Sequence, residues 1–332
     1  MEQSGPNMKA AVYARYGPPE VVEIRDVPKP SPRSDEIRIR VHATTVASGD
    51  WRVRSMTVPA GFGLAARLAF GIAGPRQPIL GTELAGVVDA VGKLVSKFRV
   101  GDEVFAFSGA RMGCHAEYKC MRQDAAIAHK PPALSFDQAA ALSFGGTTAL
   151  DFFRRANLKP GETVLVHGAS GAVGTAAVQL AKHFGAIVTG VCSARNAELV
   201  QGCGADYVID YASEDFTRSG IAYDVIMDNV GTAGFSRVRN SLNRNGRLLM
   251  VVAGLADISK AYWAARSAKN ATIIAGPSSE RAEDLRFLAN LADAGAFVPV
   301  IDRVYPFESI VEAHRHVDSG RKRGNVVVEM TG

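Results

Sequence analysis

The residues best suited to chemistry lie in the run Val164-Leu165-Val166-His167-Gly168-Ala169-Ser170-Gly171-Ala172-Val173-Gly174, where an apolar strand passes straight into a glycine-rich turn and then a helix. A pyrophosphate binds against backbone N–H groups at a helix N-terminus, where the helix dipole favours negative charge. Gly168 permits the tight turn, Gly171 lets the backbone approach the phosphates, and Gly174 lets the helix pack on the strand. Ala169, Ala172 and Val173 complete this cradle, and Val173, Ala177, Leu180, Ala181 and Phe184 form the inward face of the helix at helical spacing.

The cofactor is chosen about twenty residues later, where an acid at the end of the second strand would bind the ribose 2′-hydroxyl of NAD. That strand instead ends Gly190-Val191-Cys192-Ser193-Ala194-Arg195, with no carboxylate before Glu198. Ser193 and Arg195 suit a 2′-phosphate through a hydroxyl and a charge-assisted fork, so the cofactor is read as NADPH. The alternative is that Arg195 only opens a surface helix and either cofactor is accepted. Tyr211 is placed to pack on adenine, and Asn229, Val230 and Gly231, with Val252, Ala253 and Gly254, to lie under the nicotinamide-side ribose; plain turns are the competing reading at each.

These residues need a scaffold. Beyond Ser135 the pattern repeats apolar strand, turn and amphipathic helix, with strands expected at 163–167, 187–192, 206–211, 224–230, 247–252 and 271–275. That rhythm predicts a doubly wound parallel sheet with ligands at the carboxyl ends of its strands. From Met8 to about Lys130, period-two stretches such as Ile37, Ile39 and Val41 predict a β-rich domain. The closing helices at 284–294 and 307–317 and strands at 302–304 and 325–330 have no place in a sheet of six, so they are assigned back to the first domain. The expected division is residues 1–132 with 277–332, and 133–276, with a cleft implied by two domains.

Composition narrows the function. The net charge of +5 is spread along the chain, and only Arg321-Lys322-Arg323 forms a run, read as a solvated turn rather than a nucleic-acid patch. Cys114, Cys120, Cys192 and Cys203, with no secretory leader, point to free thiols in a reducing cytoplasm. Residues 58–74 are apolar, but Arg67, four glycines and flanking prolines make them a poor membrane span. A lid or pocket wall built on Phe62, Leu64, Leu68 and Phe70 is expected, with packing against a partner subunit as the alternative. Met1 to Asn7 read as a frayed leader.

With these residues in view, the chain from Met8 to Met330 resembles the medium-chain dehydrogenase/reductase superfamily, and within it the quinone oxidoreductase and enone reductase branch related to zeta-crystallin. Three anchors carry the resemblance: Gly81-Thr82-Glu83-Leu84-Ala85-Gly86-Val87-Val88 with Val91-Gly92, Phe98, Gly101-Asp102 and Val104-Phe105; Gly145-Gly146-Thr147-Thr148-Ala149 with Leu158-Lys159-Pro160-Gly161 and the glycine-rich turn; and Gly324-Asn325-Val326-Val327-Val328. It implies a discontinuous GroES-like catalytic domain beside a Rossmann domain, adds Thr148 and Asn325 to the cofactor contacts, and makes a homodimer paired through the strand at 270–275 the default.

Zinc-dependent relatives hold the metal with Cys and His, whereas Ser48 and Thr82 stand in those regions here, and no four-cysteine lobe exists for a structural zinc. No metal is therefore expected. The resemblance makes residues 44–52 the loop facing the nicotinamide, with Asp50 ordering it or touching cofactor and Ser48 or Arg52 touching the substrate oxygen. An Asp50–Arg52 salt bridge with Trp51 in the core is the structural alternative, and Ala47 replaces the asparagine usual in relatives. The expected activity is NADPH-dependent, zinc-independent hydride transfer to a quinone or α,β-unsaturated carbonyl. The alternatives are a metal-free alcohol or aldehyde oxidoreductase and an NADPH-binding sensor or crystallin-like protein with little turnover.

Overall fold

The computed structural model describes residues 6–267 and 270–330. The first five residues, read above as part of a frayed leader, lie outside that range. Two compact units divide the chain: the described part of Met1–Val58, Ala65–Phe144 and Glu280–Gly332 forms one, and Pro59–Leu64 with Gly145–Ser279 forms the other.

The chain opens with an antiparallel pair, β1 (Asn7–Tyr13) and β2 (Val22–Pro28), followed by β3 (Glu36–Thr45). Helices α1 (Ser48–Ser55) and α2 (Gly63–Phe70) precede β4 (Glu83–Val91), β5 (Glu103–Phe107), β6 (Tyr118–Arg122), β7 (Ile127–His129) and α3 (Phe136–Ala140). In the other unit come α4 (Ser143–Ala156, whose first two residues belong to the first), β8 (Thr163–His167), α5 (Ala172–His183), β9 (Ile187–Cys192), α6 (Ala197–Gly202) and β10 (Tyr207–Asp210). They continue with β11 (Tyr223–Asp228), α7 (Phe235–Val238), β12 (Leu242–Met250), α8 (Leu255–Ser267) and β13 (Thr272–Ala275). The chain closes with α9 (Ala282–Asp293), β14 (Ile301–Pro306), α10 (Ile310–Asp318) and β15 (Asn325–Glu329).

The closing strands do return to the first unit. Its mostly antiparallel sheet runs β14-β15-β3-β4-β5-β7, with β6 also paired to β3, and β15 meets β3 through Val327 opposite Thr45. Alternation places Ile37, Ile39 and Val41 in a core with Leu84, Val88, Val104, Val326 and Val328. Helix α3 packs on β3, β4 and β15, so this unit extends to Phe144.

One tie in this unit carries a large energy. Arg54 of α1 is fully buried; its Nη1 donates to the Gly17 carbonyl at 2.8 Å and its Nη2 to both oxygens of Asp318, at 2.5 and 2.6 Å. Removing the carboxylate strands a guanidinium out of water. Asp318→Ala is therefore expected to cost about 3 kcal/mol in a urea melt, and a loss below about 1 kcal/mol would show that water reaches Arg54.

The second unit holds a six-stranded parallel sheet in the order β10-β9-β8-β11-β12-β13, a doubly wound sheet whose order reverses between β8 and β11. Val164, Leu165 and Val166 of β8 and Val225, Ile226 and Met227 of β11 are wholly buried, as central strands covered on both faces must be. Two strand ends differ from expectation. β11 stops at Asp228 because that side chain folds the next residues back on itself, and β12 begins at Leu242 and bulges through residues 243–246, between the pairs Tyr223–Leu242 and Val225–Arg247.

Candidate active site

The glycine-rich turn is fixed from three sides. The N–H groups of Gly168 and Ala169 donate to the Val191 carbonyl at 3.1 and 3.0 Å, stitching the end of β8 to β9. Gly168 has φ +77°, which an L side chain resists. A Cβ on Gly174 would stand 2.1 Å from the Gly168 carbonyl oxygen and 2.7 Å from Ala169 Cα, so α5 meets the turn backbone to backbone. Gly171 differs, because a Cβ there would find nothing nearer than 3.8 Å. Nothing in the protein fills the space beside that position, which leaves room for a ligand to approach the backbone. The first amides of α5 have no acceptor within the helix, as at any helix N-terminus. Turn and helix together form a cradle that fits a dinucleotide pyrophosphate.

Three residues that the sequence reading missed support this cradle. Asn196 donates from Nδ2 to Ser170 Oγ at 3.0 Å, tying the turn to the end of β9, while its buried Oδ1 has no partner. His167 Nδ1 lies 2.9 Å from Asp228 Oδ1, joining the carboxyl ends of β8 and β11. A polar residue closing an apolar strand was the available signal, as in Val166-His167 and Met227-Asp228.

The expected cofactor residues of this unit gather along the carboxyl ends of the parallel strands. Ser193 is half-buried beyond β9, and Arg195 is exposed with no ion pair among the described residues. The Tyr211 N–H donates to the Cys192 carbonyl at 3.1 Å, which sets its exposed ring beside that strand end. Val230 leans on Gly168, with Val230 Cγ2 2.7 Å from where a Gly168 Cβ would be, and Gly231 abuts Val252 in the same way at 3.1 Å. Ala253 and Gly254 follow into α8, where Gly254 lies against the Ala60 carbonyl. Thr148 is buried within α4. Asn325 belongs to the other unit, is buried in β15, and donates from Nδ2 to the Val300 carbonyl at 3.0 Å.

In the first unit, the segment read as a loop over 44–52 is mostly helix. β3 runs to Thr45 and Ser48 opens α1, because Asp50 at the third helical position accepts the Ala47 N–H at 2.8 Å, the return half of a capping box. Asp50 is wholly buried, and its other oxygen takes the Gly81 N–H at 2.9 Å. It therefore positions the start of α1 against Gly81, the ordering role that the resemblance offered for it. Burial pushes the Asp50 carboxyl above the ordinary carboxylate range, against the opposing pull of His115 and of those N–H groups.

The Asp50–Arg52 salt bridge does not form. Arg52 is half-buried with its guanidinium 5.4 Å from the Trp51 ring, no described carboxylate is within pairing distance, and burial lowers its pKa. Ser48 is half-buried at the mouth of α1. Beside that mouth sits Thr82, whose Cγ2 would be 3.6 Å from a Cβ on Gly49 and whose buried Oγ1 has no partner.

Glu83 was passed over as a site residue. Its Oε1 accepts from Thr45 Oγ1 at 2.5 Å and its Oε2 from the Phe144 N–H at 2.6 Å, while Thr44 Oγ1 donates to its carbonyl at 2.6 Å. Burial pushes its carboxyl up to about 8, against those two hydrogen bonds. Lys322, expected in a solvated turn, instead turns inward to donate to the Gly324 carbonyl at 2.7 Å, and burial lowers its ammonium to about 8. Leu64 and Leu68 of α2 stand largely in solvent, and Phe62 and Phe70 are half-buried.

Two family models match the chain: an alcohol dehydrogenase GroES-like domain over residues 33–149, and a zinc-binding dehydrogenase over residues 203–328. The quinone oxidoreductase of Homo sapiens is 30% identical over 329 residues, which span 94% of each chain. The structure of the quinone oxidoreductase from Coxiella burnetii superposes with a TM-score of 0.87 at 30% identity, covering 98% of this chain and 100% of that one. This chain belongs to the medium-chain dehydrogenase/reductase superfamily, in its quinone oxidoreductase branch. Membership makes it an oxidoreductase. The 2-methylene-furan-3-one reductase of Solanum lycopersicum is also similar, 31% identical over 97% of this chain and 79% of that protein. Among the described residues no helix is long and apolar enough to cross a membrane.

Proposed function

We propose that the chain is an NADPH-dependent reductase that delivers hydride, without zinc, to a quinone or to the double bond of an α,β-unsaturated carbonyl. The observation that carries the reading is the donor set beside the mouth of α1. At the two positions where zinc-dependent relatives keep Cys and His, this chain has the hydroxyls of Ser48 and Thr82, and the Thr82 hydroxyl is buried with no protein partner. Hydroxyls with a half-buried guanidinium, Arg52, suit an oxygen that gains negative charge and do not suit a soft divalent metal. Relatives whose names specify a quinone oxidoreductase and a furanone reductase support the substrate class.

The bound cofactor supplies the hydride. The amides opening α5 hold its pyrophosphate, Ser193 and the unpaired Arg195 take the 2′-phosphate that an acid at the end of β9 would repel, and Tyr211 packs on its adenine. Ser48, Thr82 and Arg52 orient the substrate oxygen and stabilise the charge that develops there. Asp50 and Glu83 hold α1 and Thr45 in place. A homodimer paired through β13, an edge strand, completes the proposal.

The test follows NADPH and NADH oxidation with a quinone, an aliphatic enone and a simple aldehyde, with and without a chelator. Quinone or enone turnover with NADPH, indifferent to chelator, is expected. Arg195→Ala should lower kcat/KM for NADPH by roughly tenfold to a hundredfold, the worth of a charge-assisted contact, and leave NADH nearly unchanged. Equal use of both cofactors by the unmodified protein would remove Arg195 from the account, and inhibition by the chelator would overturn zinc independence.

A further inference from the structure

Helix α2 turns its largest aliphatic residues outward. Ala66 is buried and Phe70 half-buried, and at helical spacing Leu64 and Leu68 project from the opposite side, 74% and 52% exposed. Ala65 and Ala69 flank them in solvent, and Ile72, 63% exposed, carries the apolar strip past the end of the helix together with Ala73. Single exposed apolar residues are ordinary. A strip of them at 64, 68 and 72 is a patch, and patches mark interaction surfaces.

This exposure is built into the backbone. The Gly71 N–H donates to the Arg67 carbonyl at 2.9 Å, the Arg76 N–H to the Phe70 carbonyl at 2.8 Å, and the Tyr16 hydroxyl to the Gly71 carbonyl at 2.8 Å. Arg67 Nη1 reaches the Ile72 carbonyl at 3.2 Å, with its guanidinium 5.9 Å from the Tyr16 ring. Gly71 makes the turn possible: its φ is +128°, and a Cβ there would stand 1.9 Å from the Gly74 carbonyl oxygen. The strip is therefore held outward before any partner arrives.

Charge selects the partner. No Asp or Glu stands between Asp50 and Glu83, whereas Arg67 and Arg76 are exposed beside the strip. A second copy of α2 would set these guanidinium groups against their like. A helix of eight residues, about 12 Å long, also offers far less than the roughly 800 Å² per partner of a stable protein interface. The surface of an anionic phospholipid bilayer suits both features, its acyl boundary taking the aliphatic side chains and its phosphates the arginines. Such a contact lies on the membrane and needs no span.

We propose that α2 with residues 71–76 is a docking patch for an anionic membrane surface, with Leu64, Leu68 and Ile72 entering the headgroup boundary and Arg67 and Arg76 meeting lipid phosphates. Attachment is reversible, because so few side chains enter. The inference stands apart from the proposed activity, and its test uses neither cofactor nor substrate.

The unmodified protein is floated with vesicles of phosphatidylcholine alone and of phosphatidylcholine with about 30% phosphatidylglycerol, at low salt and at about 0.5 M salt. Binding to the mixed vesicles at low salt is expected, weakened roughly tenfold by high salt and by omitting phosphatidylglycerol. Leu68→Ser with Ile72→Ser should weaken it roughly tenfold or more, and Arg76→Gln should weaken it by several-fold and flatten the salt dependence, both without changing the melting temperature. Failure to bind either vesicle at low salt would overturn the proposal, and binding that survives Leu68→Ser with Ile72→Ser would place the contact elsewhere. Sedimentation of the lipid-free protein provides the remaining arm: a mass that falls in the same double variant would make this face a contact between copies of the chain and not a membrane surface.

Discussion

Gly174→Ala is expected to destroy cofactor binding and to cost at least about 3 kcal/mol of stability, although it adds a single methyl group. The new Cβ would lie 2.1 Å from the Gly168 carbonyl oxygen and 2.7 Å from Ala169 Cα and carbonyl carbon. These are backbone atoms at the end of a central strand, held by the bonds of Gly168 and Ala169 to Val191, and cannot rotate away. Relief comes only if α5 moves off β8, which opens the apolar interface under Ala177 and Leu180 and withdraws the helix N-terminus from the phosphates. Gly171→Ala provides the control. With 3.8 Å of clearance it should melt with the unmodified protein yet bind NADPH weakly, because only the ligand needs that space. Calorimetry with cofactor titration on the two variants separates the roles, and a Gly171→Ala protein that binds normally would place the pyrophosphate elsewhere.

The second large effect is a pH dependence. Burial raises the Glu83 carboxyl from an ordinary 4.5 to about 8 in the folded chain. The folded state thus holds a proton that the unfolded state releases over that window. Stability from this group is complete below about pH 4.5 and is lost as pH rises through 8, by an amount on the order of 3 to 5 kcal/mol. Asp50, raised in the same direction, adds to the slope. Glu83→Gln removes the titration and keeps both contacts, its carbonyl accepting from the Phe144 N–H and its NH2 donating to Thr45 Oγ1. Urea melts at pH 5, 7 and 8.5 should therefore converge at pH 5 and diverge at pH 8.5, with the variant the more stable. Parallel profiles would mean that Glu83 ionises at its ordinary pH.

Much of this architecture was legible because it follows from local periodicity. Strands buried on both faces read as apolar runs, so β8 and β9 were placed to the residue, and the surplus strands at the end of the chain could go only to the first unit. The turn was legible for a similar reason, since a strand, three spaced glycines and a small-residue helix face are consecutive in the chain. Where one long-range contact decided the outcome, the reading failed. The loop expected over 44–52 became α1 because Asp50 meets Ala47 locally and Gly81 thirty-one residues away. Arg52 had no carboxylate to pair with because the nearest one in sequence was already engaged by backbone.

By itself, then, the sequence determined the fold class, the return of the last strands, the position of the dinucleotide turn, and the lack of an acid at the end of β9, all properties of residue type and spacing along one segment. Only the tertiary structure decided which polar groups are satisfied. The bond between His167 and Asp228, the buried hydroxyl of Thr82 and the burial of Glu83 each depend on segments distant in sequence converging on one place. Hydrogen-bond satisfaction and desolvation are properties of a whole environment, and no pattern within a single stretch of chain records them.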